Sequence, residues 1–193
     1  MKLTTAESIL LPLQRLQRDH DEVAHRDILS FDLYKKLKHM VLHFYKYSGN
    51  IQLARIEGDL IKLRKNLIDS FIICMASANA MNLSLGEQIS CNIEIDDFDK
   101  LATHLSQSIS HENLFDASLH SILILGGRMA KAIESSDHME KGDPRAAMEK
   151  LVPELARSIL SVLGKFEGPI EVDIRARLRA IEQNSIFLRY SDR

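Results

Sequence analysis

Long stretches without a helix breaker constrain this chain more than any other feature. Four prolines and eight glycines punctuate 193 residues. Apolar side chains between them recur every three or four positions rather than every second one, so the expected class is all-α. A Thr4-x-x-Glu7 pattern of capping-box form precedes Ile9, Leu10, Leu13 and Leu16, which predicts a first helix over about residues 5 to 19. Ser30 is placed to cap a second helix with Leu33, Leu37, Met40, Val41 and Phe44 on one face, and Gly49 to end it. From Ile51 to Met81 a helical stretch follows, with Gly58 as its candidate break. Its later part, Leu67 to Met81, is apolar nearly all round, the profile of a central buried helix.

Ser84 to Asn92 reads as a short helix followed by a loop, and Ile93 to Asp96 is too short to establish a strand. The second half is expected to form helices over Phe98 to Ile109, Phe115 to Ser135, Pro144 to Phe166 and Glu171 to Phe187. Lys141-Gly142-Asp143-Pro144 is the clearest turn, with Pro144 suited to a first helical turn. Long helices joined by short turns predict an antiparallel bundle.

Length and composition fit one compact domain over residues 1–193: 45% of residues are apolar and 27% charged. A net charge of -2 gives no long-range attraction to nucleic acid or to an anionic membrane. Asp69, Ser70, Ser77 and Asn79 interrupt the most apolar run, which falls short of the roughly 20 residues of a bilayer span. Cys74 and Cys91 form no C-x-x-C, and residues 1–8 carry no apolar leader core, so reduced thiols in the cytoplasm are expected.

Two parts of the chain match each other. Leu42-His43 through Gly49 repeats the spacing of Leu119-His120 through Gly126. Ile56-Glu57-Gly58-Asp59 corresponds to Ile133-Glu134-Ser135-Ser136-Asp137, and Asn66 through Ile72 to Glu154 through Leu160. An internal repeat over about residues 30–92 and 112–168 follows.

The pattern resembles the MazG-like, all-α nucleoside triphosphate pyrophosphatases, in which one helix carries Glu-x-Gly-Glu-Leu and a second Glu-x-x-Asp. Asn66-Leu67-Ile68-Asp69, with the trailing Phe71-Ile72-Ile73 and Ala78 through Leu85, looks like the second motif. Gly126 through Glu134 looks like the surroundings of the first. The resemblance implies an antiparallel helical bundle of two tandem MazG-like halves, a pseudo-dimer in one chain. It further implies Mg²⁺-dependent cleavage of a nucleoside triphosphate to monophosphate and pyrophosphate. That chemistry gathers several carboxylates around the metal. Here the first motif, mapped on Gly49, has Tyr47 and Asn50 in place of glutamates; mapped on Gly126, it has Ile124 and Gly127, and mapped on Gly127, Leu125 and Arg128. In the second motif Asp69 stands beside Asn66 and Glu154 beside Arg157. What the resemblance implies for Asp69 and Glu154 is a pair of metal ligands that meet across the repeat axis and hold one Mg²⁺; the alternative reading is a polar residue at a helix interface in each half. The rival expectation is a non-catalytic helical binding or assembly protein, with a homodimer or another protein as partner.

Other constellations have two readings each. His39 and His43 share a helical face at i, i+4 but lack the glutamate of the zinc-hydrolase motif, and their neighbours Lys35, Lys36 and Lys46 suggest a solvated pair. His20-Asp21-Glu22 with His25 is dense enough to chelate, and equally suits a polar link between helices. His43 and His120 occupy equivalent repeat positions, and Glu57, Asp59, Glu134 and Asp137 recur as replacement carboxylates or solvated helix ends. Arg175, Arg177, Arg179 and Arg189 give a C-terminal helix either an exposed cationic edge or a contact for an acidic partner or phosphate. Ser8, Ser70 and Ser158 lack a nucleophile motif, and no glycine pair forms a phosphate loop.

Overall fold

The computed structural model describes residues 5–89, 95–109, 113–138 and 140–184. Among them are nine helices and no strand. In order they are α1 (Thr5–Ala24), α2 (Arg26–Leu29), α3 (Leu33–Glu57), α4 (Leu60–Met81), α5 (Leu85–Gln88), α6 (Phe98–Ser106), α7 (Leu114–Asp137), α8 (Pro144–Leu163) and α9 (Ile170–Asn184). The four long helices α3, α4, α7 and α8 make the bundle. Each packs on two of the others, so that α3 touches α4 and α7, and α8 touches α4 and α7.

Neighbouring helices run antiparallel, and polar ties at their ends fix the register. Tyr34 and Lys38 at the start of α3 donate to Asp137 at the end of α7, at 2.6 and 3.1 Å. Arg55, near the end of α3, pairs with Asp116 at the start of α7 at 2.7 Å. At the start of α8, Arg145 donates to the Met81 carbonyl that ends α4, at 3.0 Å. Around this frame α1 packs on α4, α5 and α9, and α6 on α8 and α9.

Local chemistry explains the boundaries. Helix α3 passes straight through Gly49, contrary to the expected stop, because nothing there forces a left-handed residue. Gly58 ends it instead, at φ 67°, with the Asp59 amide reaching back to Ala54 and the Gly58 amide to Arg55. Asn82 at φ 57° ends α4 by the same pair of backbone bonds. Asp32 rather than Ser30 caps α3, accepting from the Lys35 amide at 2.8 Å, while the Ser30 hydroxyl bonds Asp27. Helix α1 runs on to Ala24, and α8 ends at Leu163, before Phe166. Thr4, Cys91, Phe187 and Arg189 lie outside the described residues.

The expected central helix is α4. Leu63, Leu67, Phe71, Cys74, Met75 and Ala78 on it are fully buried. Its buried serines are satisfied within the helix: the Ser70 and Ser77 hydroxyls donate to the Asn66 and Ile73 carbonyls at 2.7 Å. Burial pushes the Cys74 thiol well above its ordinary value, which keeps it an inert apolar group. Close packing recurs at the ends of the bundle, where a Cβ on Gly164 would fall on the Ala102 carbonyl, so α6 and α8 meet only because that position is bare. No described helix is long and apolar enough to cross a membrane.

Candidate functional site

The four positions of the first-half motifs converge across the α3/α4 hairpin. Asn50 on α3 donates to the Asn66 side chain on α4 at 3.2 Å. One turn further along, Tyr47 and Asp69 both line a cavity of about 250 Å³ enclosed by α1, α2, α3, α4 and α9. Asp69 is 8% exposed. Its two oxygens accept from Arg177 on α9, from Nε at 2.6 Å and from a terminal nitrogen at 3.0 Å. A fork-to-fork pair of this kind uses both carboxylate oxygens at once. Donation to Asp69, together with the charge of that carboxylate, raises Arg177 above its ordinary value. Burial and the Asp69 charge push the Tyr47 phenol up to about 12, so it stays a neutral donor.

Glu154 takes a different place. It is exposed on α8, and its backbone carbonyl accepts from Ser158 at 3.0 Å. Further along the same helix, Arg157 and Ser158 line a separate, open groove with Asp116, His120 and Ser121. His43 and Asp69 thus face one cavity, and His120 and Arg157 face another groove. The recurring acidic residues sit at helix ends. Glu57 and Glu134 pair with Lys62 and Lys131, and Asp59 caps α4.

Histidines form the other wall of the Asp69 cavity. His20 and Asp21 come from the end of α1, His25 from the α1–α2 link, and His39 and His43 from α3. The expected solvated pair therefore faces an interior surface: His39 and His43 are half-buried, and their Nε2 atoms lie 3.1 Å apart. Lys46 reaches the other ring nitrogen of His43 at 3.0 Å and stands 4.2 Å from the centre of the Tyr47 ring. Burial is also the main reason that Asp21 is raised, with a Gln17 hydrogen bond and the neighbouring histidines acting against it.

Burial pushes His43 down to about 4, and Lys46, His39 and His25 add to the effect; burial lowers His39 as well. The unfolded chain titrates near 6.5, so between pH 6.5 and 4 it binds more protons than the folded one and acidification costs stability. With a discount for its partial exposure, His43 contributes about 1–2 kcal/mol to that loss. In metal-free protein His43→Gln is expected to flatten the urea midpoint against pH in this window. An unchanged profile would mean that the imidazole protonates freely in the fold.

Several of these residues carried no motif. Gln14 and Gln17 are 2% and 1% exposed on α1. Asn79 donates to the Gln14 carbonyl and the Gln17 side chain, both at 2.8 Å, and Gln14 returns a bond to Asn79 at 3.1 Å. Their signal in the sequence was only that amides sat where α1 turns toward the core. Arg177 belonged to an anticipated basic edge, and its acidic partner is Asp69 of the same chain. No family model matches this chain, and no curated protein or solved structure does either.

Proposed function

We propose that this chain is a binding or assembly protein on a tandem MazG-like helical frame, with the pyrophosphatase centre converted into a structural contact. The bidentate bond between Asp69 and Arg177 carries the reading. Mg²⁺ takes hard oxygen ligands in near-octahedral order and usually needs carboxylates beside a triphosphate. The quartet here offers Tyr47, Asn50, Asn66 and one carboxylate, and a guanidinium already holds both oxygens of that carboxylate. This donor set does not fit the ion: the Arg177 cation supplies the positive charge a metal would bring. Glu154, exposed on α8, lines no part of the Asp69 cavity.

Two observations support the rest of the reading. The repeated stretches map α3 onto α7 and α4 onto α8, and the antiparallel α3/α7 and α4/α8 contacts are those a two-fold relation between halves requires. Apolar side chains also remain on the outside of the bundle. Leu42, Leu53 and Ile56 on α3 are 62%, 58% and 73% exposed, and Leu123 and Ile124 on α7 are about half exposed. Exposed apolar surface of this kind suits a second copy or another protein. A cytoplasmic setting agrees with the buried, unpaired Cys74.

Pyrophosphate release from a panel of nucleoside triphosphates in Mg²⁺ and then Mn²⁺ tests the reading. No metal-dependent turnover above that of an Asp69→Ala/Glu154→Ala variant is expected. Turnover that the double variant loses would restore the pyrophosphohydrolase reading, with Asp69 released from Arg177 in the working state.

A further inference from the structure

A second set of side chains, outside the α3/α4 quartet, has the makings of a centre of its own. His20 and Asp21 stand near the end of α1, and His25 is the one-residue link that precedes α2. Backbone bonds tie that link to both helices: the His25 amide donates to the Asp21 carbonyl at 3.0 Å, and the His25 carbonyl accepts from Ile28 and Leu29 at 3.0 and 3.2 Å. The two imidazole rings meet edge to face, with centres 5.5 Å apart. One ligand atom from each of His20, Asp21 and His25 lies within 4.8 Å of the others, the one such group among the described residues.

We propose that His20, Asp21 and His25 bind one divalent transition-metal ion of the zinc, cobalt or iron type, with its remaining coordination position open to the cavity. Ligand type gives the class: two imidazoles and one carboxylate suit these ions, whereas Mg²⁺ and Ca²⁺ prefer oxygen alone. Three protein ligands with a position left over is the arrangement of open rather than structural sites. Ligand atoms at 2.0–2.1 Å around a tetrahedral ion lie about 3.3 Å apart, so rotations of the half-buried Asp21 and His25 side chains toward the buried His20 close the gap from the present spacing.

The outer shell is already built. Gln17 bonds the Asp21 carboxylate, Asn79 on α4 donates to Gln17 at 2.8 Å, and Gln14 joins Asn79 to the turn after α4. Second-shell bonds of this kind orient ligands and raise metal affinity. One carboxylate leaves a divalent ion with a net positive charge, and Lys46 lines the same cavity, so the open position is suited to hydroxide or a small anion. None of the three ligands belongs to the quartet of the preceding section, and the assignment stands or falls without it.

Titration of untagged, chelator-treated protein with Co²⁺, followed by displacement with Zn²⁺, tests the site. The expected result is one ion per chain and the visible absorption of four- or five-coordinate cobalt, bleached by zinc. His25→Gln and Asp21→Asn, both at half-buried positions, should each weaken binding at least about 100-fold, beyond the cost of losing an outer-shell partner. His39→Gln/His43→Gln should leave affinity within about threefold. Weak octahedral cobalt absorption in the wild type needs no variant to fold and would overturn the assignment. So would zinc binding that survives His25→Gln, or that disappears only in the His39/His43 variant.

Discussion

Arg177→Met should destabilise the fold by about 2–3 kcal/mol, read as a fall in the urea midpoint at unchanged slope. Asp69 has a side chain 9% exposed, so removing the guanidinium leaves a charge with little water to hold it. The Arg177 side chain is 34% exposed, which places the effect below that of a fully enclosed pair. The double variant Asp69→Leu/Arg177→Met is expected to recover most of the loss, because apolar groups of similar volume replace a buried pair at little cost. A double-mutant cycle separates the outcomes. Additive losses would show that the two residues do not act on each other, and the structural reading of the quartet would go with them.

Phe71→Ala is expected to cost more, about 3–5 kcal/mol. The ring is fully buried on α4 and meets Phe98 of α6 at 5.8 Å between centres, tilted by 64°. Its loss opens a cavity between the central helix and α6, and α6 is held from moving to fill it by its close backbone contact with the end of α8 at Gly164. Domains of this size have roughly 5–15 kcal/mol of stability in all, so the variant should melt far below the parent protein. Phe71→Leu, which keeps most of the volume, should cost only about 1.5 kcal/mol. A Phe71→Ala melt within a few degrees of the parent would mean that the core tolerates the void, against the packing seen around α4.

The helices were legible because apolar periodicity and burial are the same physics. Leu67 to Met81 reads as central from its composition and is buried as α4. Boundaries were less legible, since they depend on backbone angles that residue type only favours. Gly49 and Gly58 look alike in the sequence, and only Gly58 adopts the left-handed conformation that ends α3. At the site, Asp69 could be singled out as a lone acid in an apolar run, but its partner could not. Arg177 is one of several arginines on a charged helix, and which of them faces α4 is decided by how α9 docks. The histidines carried the opposite difficulty. Their i, i+4 spacing was visible, yet the wall that turns His39 and His43 inward is α1, and no local pattern reports what covers a helix from elsewhere in the chain.

The separation of Asp69 from Arg177 also bears on how the protein is made. The two residues are 108 positions apart. At about 5–20 residues per second of synthesis, α4 waits on the order of 5–20 s before its guanidinium partner exists. During that interval α1, α3 and α4 can already gather, with the Asp69 carboxylate among them unanswered. Docking of α9 then marks the moment at which that charge is closed off, so the first half reaches its final electrostatic state only when nearly the whole chain has been made.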